Sequence, residues 1–313
     1  MNDAAILRGK GGKRLGAIAD NVVEELWFGD VDDSQDEAHA AASLAARLAD
    51  VQGLKPFPVV AQRVLALLND PDFDLGQIAK LLEGDTALAT KLLRVANSSL
   101  FARGNRIASI ESAVVRLGGK TVMDMLLAVA AMGLFKDAWG AGLRIREHSV
   151  GVAVVARRLA DLCGWSGGSQ VFLAGLLHDV GKLLIMQADE YDYAPDGGVD
   201  VHLGERVALG YDHAVLGGHA LRLWEVPEPL PVAIAWHHQL GRALTAGGDI
   251  GLMVAMLDLA DNIEKCLAET VGCSTQDLAR RSAAEYLQLT AVQLDSAWDS
   301  FREERNEALA LFA

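Results

Sequence analysis

Cysteine is scarce in this sequence. The chain of 313 residues contains three, Cys163, Cys266 and Cys273. Their odd number and the absence of a CxxC pair argue against a disulfide framework and against a cysteine zinc site. We therefore expect all three to act as small apolar side chains of the core.

Long apolar runs are also missing. Stretches such as Met123–Leu134 carry a charge or fall well short of the ~18 residues that a membrane span needs. The N-terminus, MNDAAILRGKGGKR, contains no apolar signal core. We expect a protein with no membrane partner and a cytoplasmic location.

Clustered basic residues are rare, although nucleic-acid binding normally depends on them. The formal net charge is −14, and the one short basic group, between Arg8 and Arg14, precedes an acidic run at 29–37. That run is typical of a solvated linker. A nucleic acid is therefore not an expected partner.

Strand signals are few, and the apolar periodicity is helical almost throughout. Residues 58–70 and 85–99 repeat apolar side chains at intervals of three and four, with Asp85 placed as a helix N-cap. The sequence predicts an all-α, multi-helix bundle. Helices are expected near 119–134, 145–163, 169–187, 213–224, 229–239, 250–267 and 291–311.

Common nucleotide-binding and hydrolase motifs are absent. The sequence GGKT at 118–121 lacks the earlier glycine of a phosphate-binding loop, since position 114 is Val114. No GxGxxG or GxSxG pattern occurs. We interpret GGKT as a junction between two helices.

The stretch AGLLHDVGKLL, residues 174–184, carries polar groups inside an apolar helix. Leucine and valine lie on every side of it, which is typical of a buried helix. His178, Asp179 and Lys182 then need partners, because an unpaired buried polar group costs roughly 2 to 7 kcal/mol.

Five histidines and two aspartates could supply those partners to one another. Each lies on or at the end of a predicted buried helix, and imidazole and carboxylate groups are ligands suited to Zn, Fe, Mn or Ni. Metal sites in helical bundles collect such ligands from several helices. The candidate metal ligands are His148, His178, Asp179, His213, His237, His238 and Asp261.

Each residue taken alone has a simpler interpretation. A histidine can bond to a helix carbonyl, Asp261 can pair with a nearby basic group, and His237–His238 can favour a helix C-terminus. Lys182 can form a salt bridge to Asp179 or meet a phosphate. If these residues did not meet, five separate helices would each have to bury a polar side chain with a partner of its own. One shared site is the simpler arrangement.

These motifs resemble a known superfamily. The sequence HDVGK at 178–182, with His148 before it and the later histidines and Asp261, resembles the HD superfamily of metal-dependent phosphohydrolases. Residues 54–128 resemble the first half of an HDOD domain, the HD-related output domain of bacterial signalling proteins. The matching features are Pro56 and Pro58, Asp85 through Leu88, Asn97–Ser98, and Val114 through Gly118.

The resemblance implies a two-ion site of divalent transition metal: Fe, Mn, Zn or Ni. His148, His178, Asp179 and Asp261 would hold one ion, and Asp179 would bridge to a second. His213, His237 and His238 would hold that second ion. In an enzyme of this kind Asp179 and Lys182 would be the catalytic residues, with Lys182 stabilising phosphoryl charge.

The resemblance also divides the chain. It implies an HDOD domain at 51–268, formed by an N-terminal helical half (51–140) and a metal-site half (141–268). Residues 1–50 are expected to be a helical extension with the acidic linker. Residues 269–313 are expected to be a C-terminal helical extension, which either contacts a partner or packs back on its own domain.

Two functions remain open at this point. The first is a signal-transduction module whose metal site couples a signal to a protein partner, with homodimerisation also open. The second is an active phosphohydrolase acting on a nucleotide or cyclic nucleotide bound at the metals. Residues 236–253 contain no GYP motif, so the sequence argues against the hydrolysis of cyclic di-GMP that HD-GYP enzymes perform.

Overall fold

The fold was analysed in a computed structural model. It describes residues 57–312, apart from 71, 73, 75, 84, 102–103, 136–139, 188–192, 194–200 and 269–271. The expected extension and linker at 1–50 lie outside the described residues. The part that is described consists of helices, turns and loops with no strand, which confirms the all-α prediction.

Within the described residues, the first half consists of five helices and one short 3-10 turn. In chain order they are α1 (Val59–Leu68), α2 (Gly76–Glu83), α3 (Thr86–Ala96), α4 (Ile110–Leu117), α5 (Gly119–Ala131) and the 3-10 turn Met132–Phe135.

The second half contains the remaining described helices, among them the three longest. They are α6 (Ala141–Leu162), α7 (Gly168–Leu177), α8 (Val180–Gln187), α9 (Val201–Leu209), α10 (His213–Leu223), α11 (Leu230–Ala235), α12 (Leu240–Ala246), α13 (Gly248–Leu267), α14 (Thr275–Ala279), α15 (Ser282–Tyr286) and α16 (Ala291–Phe312).

Local sequence signals set several of these helix ends. The Asp85 carboxylate accepts a hydrogen bond from the Leu88 backbone N–H, which confirms the predicted N-cap of α3. Gly118 ends α4 and precedes α5 with a φ of 84°, a conformation that favours glycine. GGKT therefore forms the predicted helix junction.

Helix α5 joins the two halves through a shared core. Its residues from Val122 to Ala131 are all buried, and it packs against α1 and α3 on one side and against α7 on the other. The side chains of the main apolar cluster come from both halves of the chain, with Phe57 as the first member and Ala308 as the last. Burial of this cluster supplies the main favourable term in folding.

Helix α6 lies at the centre of the second half and packs against α7, α13 and α16. Small residues allow the closest of these contacts. A Cβ at Gly175 of α7 would lie 2.5 Å from the Cα of Ala153 in α6. The absence of a side chain at Gly175 therefore lets α7 lie directly against the backbone of α6.

The predicted single helix at 169–187 is two helices. It is interrupted at His178 and Asp179, between α7 and α8. The His178 Nδ1 atom lies 2.7 Å from the Gly175 carbonyl oxygen. In a continuous helix that oxygen would accept from the backbone N–H of Asp179, so the side chain competes with the helical bond.

The expectation that all three cysteines are free apolar core residues was wrong. Cys266, at the end of α13, forms a disulfide with Cys273, and their Cα atoms lie 5.5 Å apart. Cys163 is free and partly buried. The pair is seven residues apart in sequence, a spacing that carries no motif.

Among the described residues, one apolar stretch is long and apolar enough to cross a membrane, judged by length and composition alone. This stretch, Gly168–Gln187, has a mean hydropathy of 1.3, and 83% of the window that meets these criteria is buried inside the protein. It forms α7 and α8 of the core, on which the candidate site is built.

The C-terminal helix α16 packs back on its own chain. It lies along α6, and the Phe312 ring is 6.3 Å from the ring of Phe172 in α7. Of the two interpretations that the sequence left open for the tail, the structure shows the intramolecular one.

Candidate metal centre

The interruption between α7 and α8 places two polar side chains in the centre of the second half. His178 and Asp179 are 3% and 1% exposed, respectively. Gly181 follows on α8, where a Cβ would lie 1.9 Å from the His213 carbonyl oxygen. This close contact brings α8 and the start of α10 together beside Asp179.

A first group of potential ligand atoms lies on α6, on α13 and in the interruption between α7 and α8. His148, His178 and Asp261 each offer an atom, and these atoms lie within 4.8 Å of one another. His148 Nε2 is 3.0 Å from Asp261 Oδ1. We call this group the first triad.

A second group lies on the start of α10 and in the turn that follows α11. His213, His237 and His238 offer ligand atoms that also lie within 4.8 Å of one another. The Nε2 atoms of His213 and His238 are 3.0 Å apart. We call this group the second triad.

Asp179 contacts members of both triads. Its Oδ2 atom is 3.5 Å from His178 Nε2 and 4.0 Å from His148 Nε2. Its Oδ1 atom is 3.2 Å from His213 Nε2. All seven residues proposed from the sequence thus meet in one site, with Asp179 between the triads; their role as metal ligands stays a prediction.

Three of these histidines have a ring orientation that is fixed by a hydrogen bond from Nδ1. The Nδ1 atoms of His178 and His237 donate to the carbonyl oxygens of Gly175 and Ile234, each at 2.7 Å, because a carbonyl can only accept. His213 Nδ1 donates to the Glu205 carboxylate at 2.6 Å. Each Nε2 is then the atom that faces the site, an arrangement typical of metal-ligating histidine.

Burial and neighbouring charge keep most of the potential ligands in their metal-binding protonation state. Burial lowers the pKa of His178 to about 4 and holds that of His237 well below its usual range. Burial alone would raise the pKa of Asp179, but the combined effect of His178, Lys182 and His213 holds it well below its usual range. Near neutral pH these histidines are neutral and the aspartate is ionised, as metal binding requires.

Two buried atoms of the site have no hydrogen-bond partner among the residues that the structure describes. They are Asp179 Oδ1 and His237 Nε2. Although His213 Nε2 lies 3.2 Å from Asp179 Oδ1, the two do not have hydrogen-bond geometry. An unpaired buried acceptor costs free energy, and both atoms are ligand types for a transition metal. The residues present therefore fit a metal.

Two lysines contact the site carboxylates. Lys182 Nζ lies 2.8 Å from Asp179 Oδ2, and Lys265 Nζ lies 2.6 Å from Asp261 Oδ2. The simpler interpretations of Lys182 and Asp261, as members of salt bridges, are therefore present as well. They coexist with the cluster, since each carboxylate also contacts a histidine.

Sequence reasoning missed two residues of this site. Glu205 on α9 is fully buried and bonds to His213, and the Tyr193 hydroxyl donates to its other oxygen at 2.7 Å. His202, also on α9, stacks on His238 with ring centroids 4.2 Å apart. A sequence signal for both residues was available: His202 and Glu205 are three residues apart in a short helix just before His213.

Comparison with known proteins shows what this chain is similar to. A protein described as uncharacterized from Treponema pallidum (strain Nichols) is 26% identical over 216 residues, which are 65% of this chain and 40% of that relative. The chain thus spans less than half of that relative's length.

Solved structures share the fold. A protein from Shewanella amazonensis SB2B, provisionally named a phosphohydrolase, has a TM-score of 0.66 and 24% identity and covers 86% of this chain and 98% of its own. One from Marinobacter aquaeolei VT8, provisionally named a signal transduction protein, has a TM-score of 0.61 and 20% identity, with 88% and 65% covered. At these identities they establish the all-helical fold.

The family match itself covers more than half of the chain. The HDOD domain matches residues 54–240, which include α1 through the start of α12, the α7–α8 interruption and the whole second triad. Asp261 of the first triad lies beyond the match, on α13. On this evidence the chain belongs to the HDOD domain family.

Proposed function

We propose that this protein is a signal-transduction module whose HD-type site binds two divalent transition-metal ions and couples their binding to contact with a protein partner. The proposal takes the HDOD domain at 51–268 as one functional unit, because Asp261 on α13 is needed for the first triad. The cytoplasm is the proposed location.

One observation is the main support for the proposed metal site. Two triads of ligand atoms flank a buried aspartate, and the unpartnered atoms Asp179 Oδ1 and His237 Nε2 lie among them. Buried acceptors without partners are rare in folded proteins and call for an explanation. A bound cation supplies it.

The chain's residues would divide the work between the two triads. His148, His178 and Asp261 would hold one ion, His213, His237 and His238 would hold the second, and Asp179 would contribute to both. Glu205 and the carbonyls of Gly175 and Ile234 hold the histidine rings in orientation. Bound metal would supply positive charge and Lewis acidity at the centre of the domain.

The first experiment measures metal content directly. Protein purified without chelator is analysed by elemental mass spectrometry, and we expect two equivalents of transition metal per chain. The His178→Ala variant should lose metal. His219→Gln is the matched control, because His219 lies on α10 outside both triads. Folded wild-type protein that is free of metal and takes none up would overturn the proposal.

The partner-coupling part needs a separate test. Hydrogen exchange is compared between metal-loaded and metal-free protein, and we expect ion binding to protect surface helices that flank the site, notably α9. Equal exchange in both states would show that metal binding does not change the stability of the surface helices. That result would contradict a signalling role for the site.

A second candidate function is a metal-dependent phosphohydrolase. The observation that favours it is Lys182, whose ammonium lies 2.8 Å from Asp179 within the site. An ammonium group there could meet the phosphoryl oxygens of a nucleotide and stabilise charge that develops on them. Asp179 and Lys182 would be the catalytic residues.

Turnover distinguishes the two candidates. Metal-loaded protein is incubated with bis(p-nitrophenyl) phosphate and with cyclic nucleotides. Metal-dependent release of product that Lys182→Met reduces and His178→Ala abolishes would support the enzyme. No turnover with Fe, Mn, Zn or Ni would leave the signalling module as the function.

A further inference from the structure

A buried ion pair links the C-terminal helix to the metal site. Arg305 of α16 donates through Nε to both oxygens of Glu264 on α13, at 2.9 and 2.7 Å. Glu264 is 1% exposed and Arg305 is 16% exposed. Both residues lie beyond the family match at 54–240.

Glu264 sits where α13 meets α6. A Cβ added to Gly151 of α6 would lie 2.2 Å from the Glu264 carboxylate, so the carboxylate occupies the space that the missing side chain leaves. This contact fixes how closely the two helices approach.

The same two helices supply two members of the first triad. Asp261 precedes Glu264 by three residues on α13, and His148 precedes Gly151 by three residues on α6. His148 Nε2 and Asp261 Oδ1 are 3.0 Å apart. The Glu264–Gly151 contact therefore lies about one helical turn from the point where the two ligand side chains meet.

The buried carboxylate depends on its arginine. Removing one member of a buried ion pair leaves a charge without compensation and is strongly destabilising. Glu264 without Arg305 would have to move toward solvent or change protonation state, and either change alters the packing of α13 on α6. The second triad has no residue on α6 or α13.

We infer that Arg305 is a positioning residue for the metal centre, which acts through Glu264 to hold α13 against α6 so that the first triad can bind its ion. The inference rests on the proposed metal binding and extends it to the C-terminal helix. It makes occupancy of the first triad's ion site depend on the docking of α16, whereas the second triad is linked to that helix pair only through the shared Asp179.

The test compares two arginines of the same helix. Arg305→Met removes the ion pair, and Arg302→Met is the matched control because Arg302 is exposed. Wild type and both variants are stripped of metal and titrated with Co²⁺, followed by calorimetry and by the visible absorption of the bound ion. Thermal unfolding of the metal-free proteins is measured in parallel.

We expect Arg305→Met to weaken one of two Co²⁺ sites by about 10- to 100-fold, the range seen when an outer partner of a metal ligand is lost. The absorption of that site should change, while the other site and the Arg302→Met variant stay as in wild type. Unchanged binding at both sites of Arg305→Met would overturn the inference and leave the proposed function standing. A wild-type protein that binds no Co²⁺ would remove both.

A double variant separates positioning from stability. Glu264→Gln with Arg305→Met removes the unpaired charge, so it should recover thermal stability but keep the weakened first site. If Arg305→Met alone does not fold, the Co²⁺ titration is made with the double variant instead. Full recovery of Co²⁺ affinity in the double variant would show that the ion pair does not position the triad.

Discussion

His213 Nδ1 lies 2.6 Å from Glu205 Oε2, and both side chains are fully buried. The same carboxylate oxygen accepts from the His213 backbone N–H at 2.7 Å. Glu205 thus fixes both the ring and the start of α10. The remaining ring nitrogen, Nε2, faces Asp179 and His238.

Replacing Glu205 should weaken metal binding without touching a ligand. We expect Glu205→Gln to fold and to lose about 10- to 100-fold in affinity at the second triad, because the neutral amide makes the imidazole a poorer ligand. Calorimetric titration with Zn²⁺ measures the loss. Glu303→Gln on the exposed face of α16 is the control, and equal affinity in both variants would contradict the role of Glu205.

Ion uptake should release a proton from His213. Burial and Lys182 work against its protonation, but the hydrogen bond to Glu205 and the nearby Asp179 carboxylate outweigh them and raise its pKa above the usual range. In the metal-free protein this pair stabilises the fold at pH below the unfolded pKa, and the contribution is lost as pH rises through the folded pKa. Bound metal replaces that proton.

The proton release can be measured by calorimetry in two buffers of different ionisation heat at one pH near neutrality. The apparent binding enthalpies should differ, and affinity should fall as the pH is lowered. His178, whose pKa is about 4, contributes no proton at this pH. Identical enthalpies in both buffers would show that His213 is already neutral.

A single methyl group should disrupt the contact between α8 and α10. In Gly181→Ala the new Cβ would lie 1.9 Å from the His213 carbonyl oxygen, which is backbone and cannot move aside independently. We expect a loss of at least about 1 to 3 kcal/mol in the free energy of unfolding, measured by urea denaturation.

Gly241→Ala is the matched control for that substitution. Gly241 lies within α12, and an added Cβ meets nothing within 4 Å. Alanine there should stabilise the protein by about 0.4 to 1 kcal/mol. If the two variants have similar stability, the tight approach at Gly181 is not present in solution.

His219 should make the fold sensitive to acid. Burial and the neighbouring Arg222 lower its pKa to about 3 from the usual 6.5. Between pH 6.5 and about 3, His219 binds a proton in the unfolded chain but not in the folded chain. The contribution of His219 to the free energy of unfolding is therefore fully present above pH 6.5 and is lost as the pH falls toward 3.

The variant His219→Gln does not titrate, and its stability should depend less on pH. Between neutrality and about pH 5 the difference in slope should approach 1.4 kcal/mol per pH unit, the value for one proton. Denaturation of metal-free protein at several pH values measures it. Parallel curves for wild type and variant would show that His219 protonates equally in both states.

Periodicity and chemistry together predicted much of this molecule. Apolar spacing located α5, α6, α10, α13 and α16 to within a few residues, since each buries a continuous face. The types of the polar residues in those faces indicated the site, because isolated imidazole and carboxylate groups are costly to bury. The cap at Asp85 followed from its own side chain.

Features that depend on distant contacts were not predicted. The interruption at His178 falls inside an unbroken apolar pattern, and only the Gly175 carbonyl contact reveals it. Glu205 resembles any surface glutamate until α9 is placed against His213. The pairing of Cys266 with Cys273 requires their Cα atoms to lie 5.5 Å apart, which a spacing of seven residues does not predict.

Asp261 lies 21 residues past the last position of the family match, on a helix that the match does not include. A fragment cut at residue 240 would retain six of the seven clustered side chains and lose the carboxylate that completes one triad. It would also lose α13 and α16, which cover one side of α6. Truncation studies of this protein should therefore keep everything through Phe312, because the recognisable domain is shorter than the unit that the chemistry requires.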